Sequence, residues 1–299
     1  MTGETTPAVQ EWRERGDVRS LGGHDVFVVD VPGAPGAGGP PLFVLHGFPT
    51  CSFDWRLVVD RFAATRRVVL FDFVGFGLSA KPDHRYGIHG AADTATAVAA
   101  DLGLTEVALV THDMGDSVGG ELLARDTEGR IGFDVTARVV TNGSIYLELA
   151  TLTDGQNLLL SLDDAALPAG TLDGQSFQRG VANTFSPATT APADELPSQW
   201  DLMHHLDGER LMPRTIRYIE DRRAEESRYT GAIETHPSPL GVVWGVDDPV
   251  ARVAMVDRLS ERRPEARVTR LDHVGHYPMV EAPEAFATAV LDTLAAIEG

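Results

Sequence analysis

Short apolar runs separated by stretches of helical spacing constrain this chain more than any single motif. The runs are Leu42-Phe43-Val44-Leu45, Arg67-Val68-Val69-Leu70-Phe71, residues 105–110, Arg138-Val139-Val140-Thr141, Leu240-Gly241-Val242-Val243-Trp244 and residues 266–271. Helical spacing occupies 55–64, the Ala-rich 87–102 and the residues from Glu121 onward, and a closing helix is expected over 282–297. Val26-Phe27-Val28-Val29-Asp30-Val31 reads as a further strand, followed by a Gly/Pro-rich loop over 32–41. A strand covered on both faces is apolar throughout, and parallel neighbours are joined by helices. The pattern predicts an α/β fold with a mostly parallel central sheet and helices on both faces.

The rhythm breaks near Ser144 and resumes near Leu240. The block between is rich in Leu, Ala, Asp and Pro and shows no clear strand. We therefore expect a core of residues 1–143 and 238–299, interrupted by a helical cap over 144–237. A chain of 299 residues accommodates one large domain with such an insertion.

A formal net charge of -19 opposes binding to phosphate backbones or anionic lipid. The N-terminus lacks the basic start and apolar segment of a signal peptide, and no apolar run approaches the ~20 residues of a bilayer span. The single cysteine, Cys51, excludes an internal disulfide and fits a reducing compartment. The expectation is a cytoplasmic protein, monomer or homodimer, that acts on a small molecule without nucleic acid or membrane partners. No cofactor or metal is expected. Gly75-Phe76-Gly77 lacks the third glycine of a dinucleotide fingerprint, and adjacent His204 and His205 on a helix point in different directions.

The chemistry gathers at strand ends, where sheets of this kind place ligands. In Val110-Thr111-His112-Asp113-Met114-Gly115, Asp113 stands where a buried strand turns into a helix. Gly115 suits a tight turn, whereas Thr111 is larger than a tight turn prefers. Asp is also a favoured helix N-cap, and alone Asp113 reads as one. Its partners alter that reading. Gly245-Val246-Asp247-Asp248-Pro249 follows one strand, and Asp272-His273-Val274-Gly275-His276-Tyr277-Pro278 follows the next. His46-Gly47-Phe48-Pro49 follows the first central strand, and its glycine allows backbone N–H groups to approach a bound oxygen.

Nucleophile, acid and histidine in this chain order resemble the α/β-hydrolase superfamily along nearly the whole chain. Within it, the sequence is similar to the epoxide hydrolase and haloalkane dehalogenase branch. Phe48-Pro49-Thr50, the stretch from Phe71 to Ser79, and Ser117 to Leu123 resemble the mesoderm-specific-transcript-like hydrolases most. The resemblance implies Asp113 as nucleophile, Asp248 as acid and His276 as base, with Asp247 and His273 as the nearest rivals. It implies the backbone N–H groups of Phe48 and Met114 as oxyanion donors.

A carboxylate nucleophile has a chemical reason. Serine attacking an sp³ carbon would leave an ether, which water does not readily cleave. A carboxylate leaves an ester, which water hydrolyses through its carbonyl. Halide release wants indole or carboxamide donors, and Phe48 and Met114 offer none from their side chains. Tyr218 falls near where epoxide hydrolases place their second cap tyrosine, so it is expected to protonate an epoxide oxygen. The first tyrosine of that pair is missing, since none lies between Leu147 and Arg217. Tyr146, His204 or His205 are candidates to replace it, and Trp200, His46 and His112 are candidate pocket residues. The expectation is hydrolysis of small epoxides through an Asp113 ester. The alternative is haloalkane or haloacid dehalogenation with the same triad; ester or lactone hydrolysis and a non-catalytic receptor are further rivals.

Overall fold

Eight strands form one sheet in the computed structural model, which describes residues 5–298. They are β1 (Asp17–Leu21), β2 (His24–Val31), β3 (Leu42–Leu45), β4 (Val68–Phe71), β5 (Glu106–His112), β6 (Asp134–Thr141), β7 (Leu240–Gly245) and β8 (Arg267–Leu271). Across the sheet the order is β1-β2-β4-β3-β5-β6-β7-β8. β2 runs antiparallel to both β1 and β4, and every pairing from β4 to β8 is parallel. β3, β4 and β7 are buried along their whole length, as their continuous apolar runs require.

The chain winds outward from β3 to β4, then returns across β3 to β5. The strand order therefore reverses between β3 and β5, and the crevice at such a switch point is where α/β sheets bind ligands. The helices of the core are α1 (Pro7–Glu14), α2 (Val59–Ala63), α3 (Ile88–Asp101) and α4 (Met114–Thr127). α4 packs on β3, β5 and β6 and against α3. Between β6 and β7 come α5 (Asp154–Ser161), α6 (Gly174–Ala182), α7 (Glu195–His204), α8 (Met212–Thr215), α9 (Tyr218–Ala224) and α10 (Glu226–Thr235). α11 (Ala254–Arg262), α12 (Pro278–Glu281) and α13 (Pro283–Glu298) complete the chain. α13 covers β6, β7 and β8 and meets α2.

The structure departs from the sequence expectation in places with clear causes. Residues 55–64 were expected to be helical. Instead a 3₁₀ turn spans Ser52–Trp55, and only Val59–Ala63 is α-helical. The closing helix begins at Pro283, because a proline at the first helical position separates it from α12. β1 reads Asp-Val-Arg-Ser-Leu on the sheet edge and stays largely exposed, so it offers no apolar run. No helix among the described residues is long and apolar enough to cross a membrane. Among those residues no group of three or more His, Cys, Asp or Glu is placed to hold a metal.

Candidate active site

Asp113 joins β5 to α4 with φ 51° and ψ -115°, a conformation that non-glycine residues rarely adopt. Its side chain makes no capping bond to α4, so the cap role is not the one it performs. A sharp turn needs close backbone packing, and two glycines provide it. A Cβ at Gly115 would lie 2.7 Å from the Leu45 carbonyl oxygen, and one at Gly47 would lie 2.6 Å from the Asp113 Cβ. With Gly47 bare, the Phe48 N–H reaches the Asp113 Oδ2 at 2.8 Å. The Met114 N–H opens α4 and has no acceptor within the helix. Thr111, large for this turn, is accommodated by donating its hydroxyl to Asp116.

His276 stands between two carboxylates. Its Nδ1 is 2.8 Å from the Asp248 Oδ2, and its Nε2 is 3.7 Å from the Asp113 Oδ1. Asp248 is fixed in turn. Its Oδ1 accepts the N–H groups of Val250 at 2.7 Å and Ala251 at 3.0 Å, and its Oδ2 accepts the Asn142 amide at 2.8 Å. Glu281 clamps the histidine loop by accepting the N–H groups of Gly275 at 2.8 Å and Tyr277 at 3.0 Å. Burial alone lowers the pKa of His276. The charge and hydrogen bond of Asp248, with the charge of Asp113, outweigh it and raise the value to about 9. The two flanking carboxylates thus favour the protonated imidazole.

Tyr218 begins α9 beside this group, with its ring 5.7 Å from that of Phe48. Burial first, and then the charge of Asp113, push its phenol well above the ordinary range, so it remains protonated. Tyr218 and Met114 form part of the wall of a cavity of about 260 Å³, together with Phe73 and Phe76. Asp113 is itself buried and is not part of that wall. The arrangement offers a buried carboxylate at a strained turn, a backbone donor to it, a paired histidine and a protonated phenol. Those groups are sufficient for attack, proton donation and activation of water.

Residues 42–289 match the profile of the alpha/beta hydrolase family. The chain belongs to that family. It is 41% identical over 291 residues, covering 97% of this chain and 99% of the other, to LipZ of Mycobacterium tuberculosis, which carries a provisional hydrolase name. It is 32% identical over 299 residues to the human mesoderm-specific transcript homolog protein, covering 96% and 88% of the two chains. A haloalkane dehalogenase variant, DbeA-M1, from Bradyrhizobium elkanii has the same fold, with a TM-score of 0.74 and 20% identity over 95% of this chain and 97% of that one.

Other members of this alpha/beta hydrolase's expected pocket stand elsewhere. None of His46, His112, Tyr146, Trp200 and His204 lines the cavity. His46 is a structural link: its Nδ1 donates to the Gly47 carbonyl at 2.8 Å, and its Nε2 accepts the Phe73 N–H at 3.0 Å. His112 donates from Nε2 to the His276 carbonyl at 2.8 Å and is buried among Trp55, His276 and Tyr277. Tyr146 donates its hydroxyl to Glu234 at 2.9 Å. Trp200 stacks on His204 and packs on Phe177, tying α7 to α6, while His204 is exposed and pairs with Glu209. The rivals of the triad are also occupied differently. Asp247 accepts the Ser186 hydroxyl at 2.7 Å, and the His273 carbonyl accepts the Thr189 hydroxyl. Asn142, Asp116 and Glu281 were missed in the sequence. An Asn closing β6 was a signal for the first, because Asn tolerates the positive φ of 49° found there.

Proposed function

We propose that this alpha/beta hydrolase opens small epoxides to diols through an ester on Asp113. The observation that carries the reading is a carboxylate, rather than a hydroxyl, on the strained turn, within 3.7 Å of a histidine paired to a second carboxylate. An ionised Asp113 attacks one epoxide carbon, and the carbon–oxygen bond breaks. Tyr218 gives its proton to the departing oxygen, and the phenolate regains one through solvent from the His276 cation. Esterification removes the negative charge of Asp113, so the pKa of His276 falls and the neutral imidazole persists as a base. It takes a proton from water, and the hydroxide adds to the ester carbonyl. The N–H groups of Phe48 and Met114 hold the oxyanion. Collapse expels the second diol oxygen, which takes the proton held by His276. The Asp113 carboxylic acid then returns its proton to the imidazole. The net reaction is epoxide plus water to diol.

Two observations support a proton donor rather than a halide cradle. Tyr218 is protonated and buried beside the site. Neither Phe48 nor Met114 carries a side-chain donor. A panel of propylene oxide, styrene oxide, 1-bromobutane and p-nitrophenyl acetate tests the reading. Diol formation should dominate, and Tyr218→Phe should slow it by about 10²-fold, the scale of a lost general acid. Efficient bromide release with no diol formation would contradict the epoxide reading and favour dehalogenation.

A further inference from the structure

We propose that Arg222 is a positioning residue for ring opening: its guanidinium, buried against the Tyr218 ring, holds the negative charge that passes from Asp113 to the Tyr218 oxygen. The inference deepens the proposed function and rests on its assignment of Tyr218 as proton donor.

Arg222 is 3% exposed and lies one helical turn after Tyr218 on α9. Its guanidinium carbon is 5.6 Å from the centroid of the Tyr218 ring. Its Nε and Nη1 are buried without a hydrogen-bond partner among the described residues. The carboxylates nearest to it in sequence are engaged by other cations. Arg85 holds Glu220 and Asp221, Arg217 also binds Glu220, and Glu225 faces His89. Asp221 further accepts the Ile88 N–H, which ties α9 to α3. A buried charge is normally paired, because burial without a partner is costly. An aromatic face within ~6 Å compensates in part. A guanidinium kept in this state suits a charge that forms only during the reaction.

The proposed reaction forms such a charge. Asp113 enters as an anion and becomes an uncharged ester when its oxygen bonds to the epoxide carbon. The carbon–oxygen bond of the ring breaks, its electron pair goes to the departing oxygen, and that oxygen takes the Tyr218 proton. The negative charge then rests on the phenolate. It has moved from the carboxylate beside His276 to the ring beside Arg222. Burial first, and then the charge of Asp113, hold the phenol protonated; the charge of Arg222 opposes both. Esterification of Asp113 removes one of the two effects that oppose ionisation, and the cation remains. An interaction that strengthens as the reaction proceeds lowers the barrier, whereas one of equal strength throughout does not.

A double-mutant cycle on diol formation from styrene oxide tests the idea. Arg222→Met should lower kcat by about 10-fold, the scale of one charge several ångströms from a forming anion, with KM held within about twofold. Arg222→Lys, which keeps the charge, should recover most of the loss. In a Tyr218→Phe background Arg222→Met should cost less than about twofold, because no phenolate forms there. Removing an unpaired buried charge should also hold or raise stability in urea unfolding. An equal loss of kcat in both backgrounds overturns the proposal. Failure of Arg222→Met and Arg222→Gln alike to fold overturns it too, since the charge would then belong to the fold. A titration separates the idea from the function it rests on. With 3-nitrotyrosine installed at position 218, the phenolate is read by its visible absorbance, and the midpoint should rise by about one pH unit in Arg222→Met. A raised midpoint with no epoxide hydrolysed upholds the hold of Arg222 on the phenolate and removes the epoxide reading. Diol formation with an unmoved midpoint removes only the role of Arg222.

Discussion

Asp113 and Asp116 are both buried carboxyls on one turn, yet their surroundings differ. Asp113 faces the Phe48 N–H and the His276 cation. Asp116 is dominated by burial, and its pKa is pushed well above the carboxylate range, with the charge of Asp113 adding to the rise. Burial thus favours its neutral form in the folded protein. Asp113→Asn should abolish turnover with the fold intact. Asp116→Asn, an uncharged near-isostere, should keep activity within about threefold and hold or raise stability at pH 7, because the unfolded chain no longer gains by ionising there. Steady-state kinetics and urea unfolding check the pair, and equal loss in both variants would contradict the distinction. His276 makes a second prediction at this scale. Its folded pKa of about 9 exceeds the unfolded value near ~6.5, so its contribution to stability is complete below ~6.5 and is lost as pH rises through 9. Unfolding free energy measured from pH 6 to 10 should fall more steeply in wild type than in His276→Gln, by at most ~1.4 kcal/mol per pH unit from this one group. The grouping of Asp113, Asp248 and His276 was legible in the sequence because each follows a strand whose apolar run is plain. Asn142 and Glu281 were not, since they act by holding Asp248 and the His276 loop across the fold, contacts that no local pattern encodes.

Elements from the segment between β6 and β7 reach down to the loops that carry the site. Thr184 and Ser186 bind the histidine loop, and Gln199 on α7 donates to Asp54 at 2.7 Å and to Glu195 at 2.9 Å. Asp54 follows the loop that carries Phe48, accepts the Thr50 hydroxyl at 2.5 Å, and is raised by burial to about 8. Gln199→Leu would leave two buried carboxyls each short of a donor. It should destabilise the protein by about 1–3 kcal/mol in urea unfolding. A loss below about 0.5 kcal/mol would show that α7 is held to the core by its apolar contacts alone. At this scale the sequence was informative where strands are covered on both faces and weak elsewhere. β1 lies at the edge and half faces solvent, and its neighbour α1 is eight residues of mixed character. The turn at Ser52–Trp55 is buried throughout and takes its shape from Asp72, which accepts both the Ser52 N–H at 2.9 Å and the Ser52 hydroxyl at 2.5 Å. Helical spacing alone could not reveal that partner.

For the whole molecule, one topological fact organises the rest. The strand order reverses between β3 and β5, so the loop that supplies the Phe48 N–H and the turn that supplies Asp113 are neighbours by construction. β7 and β8 bring Asp248 and His276 from the other side of β6. Chain order and strand ends made this architecture readable, while the cavity was not, because Leu21, Tyr86, Ala97 and Tyr218 come from distant parts of the chain. The central claim is that Asp113 becomes an ester. His276→Gln permits attack by Asp113 and removes the group that activates water, so incubation with styrene oxide should trap the intermediate. Mass spectrometry of the digested variant should show the entire epoxide mass added to the peptide containing Asp113. In wild type, a single turnover in heavy-oxygen water should give diol with ordinary oxygen and label in the Asp113 carboxylate. Absence of any adduct, with heavy oxygen entering the first diol directly, would contradict the ester and leave Asp113 as a base for water.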